Sequence, residues 1–375
     1  MLAIIKKIIA FIIIITLIVA MFGIALLYWD YSGLDITKEN NLFQNISKTD
    51  CSNLPAQEVH INYITDENYI YPTQVSAYSA IKNKCPQSVY YFHIMTDAVD
   101  IQKAQAAFAP MESDTVHFEI IPQKRTLDIE FSDYLEHISA AALLKFEIPN
   151  ALPKVNRVIY MDSDTLVTKD LQTLFTTDLE DNFVGAVSDL GLTAQRPYLA
   201  SLGYKENVYY NTGVLLLDLE KMRQYEIPQK LNSYLAHSQQ LVFLDQDVYN
   251  IVLKKHIKTL PYHYNCMAIM HMYARPKLPF FEYAKKRWNN TAANDSVFTR
   301  LYAKELPLFY RNIFKDTVIL HYFGVTKPWR ETSELTSVNL FLDLWHTYAN
   351  DLEQEFHITK TLVSPTAIKN NKTNP

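Results

Sequence analysis

Glycine is scarce: seven residues in a chain of 375. They lie too far apart to assemble a GxGxxG or GxxxxGKS loop, so any phosphate is held in some other way than on a glycine-rich backbone cradle. Cysteine is rarer. Cys51, Cys85 and Cys266 form no CxxC and no Cys/His cluster, which argues against a structural zinc site. Three is an odd count, so there is no disulfide framework, although one pair has room to close in an oxidising compartment. An excess of positive charge is also missing. The 35 Lys and Arg stand against 40 Asp and Glu, a formal net charge of −5, and no general basic field draws the chain to nucleic acid. No internal repeat or low-complexity tract is visible. What is present is apolar: 49% hydrophobic and 13% aromatic residues, ample for a real core and too apolar for a disordered chain.

The run from Ile8 to Trp29 carries no charge. As a helix rising ~1.5 Å per residue it is roughly 33 Å long, enough to cross a bilayer. A secretory signal has an apolar region of only about 7–15 residues and a small-residue cleavage site. Tyr28 and Trp29 close the run as interfacial aromatics, Lys6 and Lys7 precede it, and Asp30, Asp35, Lys38 and Glu39 follow. This bias predicts a single-pass type II signal-anchor with a cytosolic tail over 1–7 and a span over 8–29. A stem over 30–56, the main domain over 57–350 and a C-terminal tail over 351–375 complete the expected organisation. The expected location is an ER or Golgi membrane with the domain in the lumen. The alternative is a bacterial inner membrane with the domain on the cytosolic face. Asn-x-Ser/Thr triplets at Asn45, Asn289, Asn294 and Asn371 lie past the span and suit a secretory lumen.

From Glu58 onward the pattern becomes that of a layered α/β domain. Val59, Ile61 and Tyr63 alternate with His60 and Asn62, as in a strand. Further strand-like runs are Ser88–Met95, Val116–Ile121, Val155–Met161, Val208–Leu217 and Val318–Tyr322. Helix-like stretches fall at Thr73–Ile81, Ile101–Phe108, Ser132–Phe146 and Gln246–Lys255. The alternation predicts a mostly parallel, Rossmann-like sheet covered by helices on both faces, with ligands at the carboxyl ends of its strands.

The chemistry-bearing residues sit at those ends. Val-Ile-Tyr-Met runs straight into Asp162-Ser-Asp164. Carboxylates at i and i+2 project to one side and offer hard oxygen ligands that suit Mg²⁺ or Mn²⁺. His321 ends another apolar strand, and a neutral imidazole can complete such a sphere. Gly324 lets the backbone pass close to a phosphate, and Lys327 supplies a point charge for it. Trp329 reads as packing. Asp66 and Asn68 follow the first strand, where either a nucleotide or the start of a helix would use them. Tyr209-Tyr-Asn-Thr-Gly-Val214 and Leu244-Asp-Gln-Asp247 set amides and carboxylates beside apolar runs, and Asp245 reads equally as a helix cap.

In order and spacing, the blocks Thr-Asp-Glu-Asn-Tyr, Val-Ile-Tyr-Met-Asp-Ser-Asp-Thr-Leu-Val, Tyr-Asn-Thr-Gly-Val-Leu-Leu-Leu-Asp-Leu, Asp-Gln-Asp and His-Tyr-Phe-Gly-Val-Thr-Lys-Pro-Trp resemble glycosyltransferase family 8. Its members are retaining transferases such as bacterial lipopolysaccharide galactosyl- and glucosyltransferases and glycogenin. The resemblance covers about Val59 to Trp329 and implies a GT-A fold, a UDP-sugar donor and Mn²⁺, with Mg²⁺ as the alternative ion. It implies that Asp162, Asp164 and His321 ligate the metal, that Asp66 and Asn68 contact uridine, and that Gly324 and Lys327 hold the diphosphate. Asp189, Asn211, Asp245 and Gln246 would surround the sugar and the reacting carbon. Lys145 stands where the family usually has Arg, which keeps the charge and loses the bidentate fork. Gln246 occupies the place expected of a nucleophile, which favours internal return; Asp245 and Asp189 are the nucleophile candidates otherwise. The expected reaction is α-transfer of galactose or glucose to a glycan, glycoprotein or glycolipid. An α-xylosyltransferase using UDP-xylose, or an inactive UDP-sugar-binding relative, is the alternative. The aromatic and basic segment Tyr262–Asp316, with Arg275, Lys277, Lys285, Lys286 and Arg287, is expected on the acceptor side.

Overall fold

A computed structural model describes residues 13–25, 46–97, 101–123, 140–193, 195–238, 241–267, 316–323, 327–329 and 342–358. The sequence motif's strands become a seven-stranded sheet of order β3-β2-β1-β4-β7-β6-β8 and a two-stranded ribbon β5-β9. The strands are β1 (Gln57–Thr65), β2 (Ser88–Thr96), β3 (Val116–Pro122), β4 (Arg157–Met161), β5 (Thr165–Val167), β6 (Val184–Ser188), β7 (Tyr210–Asp218), β8 (Ile257–Thr259) and β9 (Ile319–His321). β1 pairs in parallel with both β2 and β4, and β3 with β2. β7 runs antiparallel to its neighbours β4 and β6, and β8 is parallel to β6. Every strand of the large sheet except β7 therefore points the same way.

The sheet is buried on both faces, which is why β4 reads as an unbroken apolar run. Ile159 and Met161 enter one core with Val59, Ile61 and Tyr63; Val158 and Tyr160 enter the other with Leu215 and Leu217. Helix α1 (Ile70–Asn83) and the C-terminal α2 (Leu342–Phe356) cover the first face. On α2, Trp345 is fully buried and Tyr348 accepts a hydrogen bond from Asn83 Nδ2 at 2.7 Å; Tyr78 donates to Glu355 at 2.6 Å. Residues 351–356 thus continue a packed helix in the region expected as a tail. The helix Leu244–Leu253 lies on the other face, where Val248, Tyr249 and Leu253 are buried.

Two expectations are corrected. Ser132–Phe146 is not an α-helix where it is described: Ala140–Glu147 forms a 3₁₀ helix, carrying Lys145. Asp245 does not cap its helix. Phe243 is the N-cap, and the neighbouring Asp247 accepts the Val242 and Phe243 N–H groups at 3.0 and 2.8 Å. Three short strands, β5, β6 and β8, had no readable alternation. Among the described residues no helix is long and apolar enough to cross a membrane; of the run Ile8–Trp29 the described part, residues 13–25, is helical. Asn45, Asn289, Asn294, Asn371 and Gly324 lie outside the described residues, as does the segment after Met267 up to Lys315.

Cys51 and Cys85 are joined, with Cα atoms 5.5 Å apart, and Cys266 is a buried free thiol. The bridge ties the segment just before β1 to the end of α1. Gln87 Nε2 donates to the Cys51 and Leu54 carbonyls at 2.7 and 2.9 Å, and Asp170 N–H donates to Thr49 Oγ1 at 2.8 Å. The segment before β1 is therefore docked on the domain from Ser47 onward, whose hydroxyl accepts from Lys169 Nζ at 3.0 Å. Closing a loop over a sequence separation of 34 restricts the unfolded chain by about 3–4 kcal/mol. Cys51→Ser is expected to lower the unfolding free energy by that order with turnover unchanged at 25 °C, as read by thermal unfolding with and without reductant. Equal stability of the two forms would show that the bridge constrains nothing.

Candidate active site

The common strand direction decides where the site lies. The carboxyl ends of β1, β4 and β6 fall on one edge, and the residue after each is an acid: Asp66, Asp162 and Asp189. Antiparallel β7 starts at that same edge and contributes Asn211, Thr212 and Gly213. β7 carries Thr212, Gly213 and Val214 between two pairs that are consecutive on β6, Val187–Asn211 and Ala186–Leu215. This extra length turns the start of β7 toward the β4 end, where Asp162 N–H donates to the Gly213 carbonyl at 2.8 Å.

Ser163 aims the two aspartates. Its buried hydroxyl pairs with Thr73 on α1 at 2.7 Å and reaches the Ile64 carbonyl at 3.3 Å, so the side chains on either side of it turn the other way. The ribbon β5-β9 then brings His321 opposite Thr165, and Tyr322 N–H donates to the Asp164 carbonyl at 2.8 Å. Asp162, Asp164 and His321 converge with their nearest ligand atoms all within 4.8 Å. His321 Nε2 lies 3.2 Å from Asp164 Oδ1 and 3.8 Å from Asp162 Oδ2.

Those residues fit a divalent cation. His321 Nδ1 faces the Asn265 side-chain oxygen at 2.9 Å. In the neutral ring this places the proton on Nδ1 and the lone pair on Nε2, which then faces a carboxylate oxygen. Asp164 Oδ1 is buried with no hydrogen-bond partner. Two acceptors in contact are stable only with a positive charge between them or on the ring. Their separation is close to the ~3.0 Å between neighbouring ligands of an ion bound at about 2.1 Å. Burial pushes the Asp164 carboxyl up, but the Lys327 ammonium, joined by His321 when that ring is protonated, outweighs it and holds the group well below the usual carboxylate range.

Behind Asp162, Asp164 and His321 stands a buried wall of polar side chains. Lys145, from the 3₁₀ helix, is buried over the Tyr160 ring. Its ammonium donates to Asp245 Oδ2 at 2.6 Å and to the Thr212 carbonyl at 3.1 Å, and lies 3.6 Å from Asp162 Oδ1. Burial lowers the Lys145 pKa, and the carboxylates of Asp162 and Asp245 more than reverse this. Thr212 Oγ1 also donates to Asp245 Oδ2, at 2.8 Å. Gln246 accepts from Asn211 Nδ2 at 3.0 Å and donates to Asp189 Oδ2 at 3.3 Å. Burial raises the Asp189 carboxyl above the usual range, opposed by hydrogen bonds from Leu192 N–H and Gln246.

The structure thus brings together Asp162, Asp164, His321, Lys145, Asn211, Asp245, Gln246, Asp189 and Lys327. Lys327 is turned onto Asp164 Oδ2 and the Tyr322 carbonyl. Asp66 accepts the Asn68 and Tyr69 N–H groups at 2.9 and 3.1 Å, forming the turn into α1 at the end of β1; Asn68 is exposed there. Several members escaped the sequence reading. Gly213 sat inside a recognised block without a role. Asn265 and Ser163 carry no signal of their own, because both act through side chains that only folding brings near.

A family model for glycosyl transferase family 8 matches residues 60–333. Among curated proteins the chain is 22% identical over 293 residues to an Escherichia coli lipopolysaccharide 1,2-glucosyltransferase, covering 76% of this chain and 78% of that one. It is 24% identical over 284 residues to a Salmonella typhimurium lipopolysaccharide 1,3-galactosyltransferase, covering 73% and 74%. Among solved structures, the galactosyltransferase LgtC in complex with donor and acceptor sugar analogues superposes with a TM-score of 0.57 at 21% identity, over 81% of this chain and 98% of that one. With a family model spanning well over half of its length, the chain belongs to glycosyl transferase family 8.

Proposed function

We propose that the protein is a Mn²⁺-dependent retaining glycosyltransferase that moves a hexose, galactose or glucose, from a UDP-sugar to a glycan or glycoconjugate acceptor. The observation that carries this reading is the convergence of Asp162, Asp164 and His321 Nε2 at the carboxyl end of β4, directly in front of the buried Lys145–Asp245–Gln246 wall. When bound there, a divalent ion supplies Lewis-acid stabilisation of the charge that develops on a diphosphate leaving group. Asp162, Asp164 and His321 hold it. Lys327, at hydrogen-bond distance from a ligand carboxylate, adds positive charge on the same side, and Asp66 and Asn68 at the end of β1 are assigned to the nucleoside.

The wall behind argues for internal return. Asp245 accepts from a buried ammonium and a hydroxyl at the same oxygen, which lowers its nucleophilicity. Gln246 and Asn211 are neutral amides fixed by the backbone N–H groups of Thr212 and Gly213. Asp189 is held by the Gln246 amide and the Leu192 N–H rather than by an ammonium as Asp245 is, and Asp189→Asn turnover within tenfold of the parent would remove it as a nucleophile.

We also propose that the chain is anchored by its N-terminal apolar run, with the domain on the non-cytosolic side, in an ER or Golgi lumen; a bacterial inner membrane is the alternative. Lys6 and Lys7 before the run, the outward-facing apolar side chains of residues 13–25 and the Cys51–Cys85 bridge support this, since cytosolic proteins rarely keep disulfides.

The test is a screen of UDP-galactose, UDP-glucose and UDP-xylose with the detergent-solubilised chain, with Mn²⁺ and with EDTA. Turnover of one donor, abolished by chelation, is expected. Metal-independent turnover would remove the metal site, and tight UDP binding without any turnover would make the protein a binding relative.

A further inference from the structure

We infer that Asn265 is a positioning residue for His321. On the proposed metal reading, it ends a hydrogen-bond chain from the sugar-facing wall that fixes which imidazole nitrogen faces the cation. Asn265 is fully buried, just after the short 3₁₀ turn Tyr262–Tyr264. Strand β9 holds it beside His321: Cys266 N–H donates to the Ile319 carbonyl at 2.9 Å, and His321 N–H to the Cys266 carbonyl at 3.2 Å.

The direction of each bond in the chain is forced. A backbone N–H only donates, so Thr212 N–H at 3.3 Å marks the Gln246 oxygen and Gly213 N–H at 2.8 Å marks the Asn211 oxygen. The Gln246 NH₂ then points to Asp189 and the Asn211 NH₂ to Gln246, at 3.3 and 3.0 Å. The Asn211 oxygen takes a second donor, the Asn265 NH₂, at 2.8 Å. Asn265 is left with only its oxygen for His321 Nδ1, at 2.9 Å. His321 must therefore carry a proton on Nδ1, and in its neutral form it presents Nε2 bare toward Asp162 and Asp164. Ligating histidines commonly donate their other N–H to such a partner, and the loss of that partner costs about 10–100-fold in metal affinity or activity. Here the partner is an amide whose own orientation is set by the wall that faces the sugar.

Two measurements on the full solubilised chain test this. Mn²⁺ titration followed by electron paramagnetic resonance reads the affinity without substrate. Asn265→Ala is expected to weaken binding about 10–100-fold, whereas Asn265→Asp, which keeps an acceptor for Nδ1–H but gives up the donor to the Asn211 oxygen, is expected to bind more tightly than Asn265→Ala. Should Asn265→Ala fail to fold, ¹⁵N-histidine spectra of the unmodified metal-free protein at alkaline pH, assigned against His321→Gln, decide alone: the Nδ1–H tautomer is expected. Unchanged Mn²⁺ affinity in Asn265→Ala, or an Nε2–H tautomer, overturns the inference and leaves the metal site standing. A parent chain that takes up no Mn²⁺ overturns the metal reading itself, and the inference with it.

Discussion

Asp162→Asn and Asp164→Asn should each lower Mn²⁺-supported turnover by at least about 10³-fold, roughly 4 kcal/mol of transition-state stabilisation. They should differ in stability. The Asp162 side chain is a third exposed, and its removal leaves Lys145 still paired with Asp245 at 2.6 Å. Thermal unfolding of Asp162→Asn should therefore stay within about 1 kcal/mol of the parent. Asp164 is buried and is the carboxylate partner of buried Lys327. Stripping its charge leaves that ammonium uncompensated in the interior, a loss of about 3–5 kcal/mol. One variant is dead and stable, the other dead and fragile. Asp162→Asn retaining more than a tenth of parental turnover would remove the metal site as the centre of the chemistry.

Gly213→Ala should be nearly as damaging, with a loss of about 10²–10³-fold in turnover and 1–3 kcal/mol in stability from overpacking. A Cβ at this position would lie 2.1 Å from His321 Cε1, 2.8 Å from its Nδ1 and 2.9 Å from Asp162 Oδ2. The neighbours cannot simply give way, because the imidazole is buried and bonded to Asn265. Glycine is required here for space rather than for its backbone freedom. The companion change Gly203→Ala removes a glycine with a φ of +68° and nothing within 4 Å of its Cβ. It should cost only about 1 kcal/mol of stability and leave turnover intact. Equal turnover of Gly213→Ala and the parent would mean that His321 is free to move.

Much of this was legible before folding, for a physical reason. A strand buried on both faces must be continuously apolar, so β4 announced itself, and an acid immediately after such a strand has no packing explanation. Asp162, Asp164 and His321 were readable on those grounds. So was the layered architecture, because strand and helix periods alternate along the chain. The short strands β5, β6 and β8 were not, since three to five residues give too little pattern. The segment Ala140–Glu147 looked helical by composition and winds into a 3₁₀ turn that aims Lys145 inward.

Roles that depend on partners distant in sequence were decided only by the tertiary structure. Asp245 reads as a cap in its own helix, and becomes the ion partner of Lys145 only because the 3₁₀ segment packs against that helix. Gly213 is ordinary in β7 until β9 sets an imidazole against it. Asn265, without any local pattern, fixes a histidine tautomer 56 residues away. Periodicity and solvation act locally, so which elements form and which side chains have no reason to be buried follow from neighbouring residues alone. Only the folded chain decided which of those side chains meet and which way each hydrogen bond points, because contacts across a sheet edge are set by strand order and not by spacing.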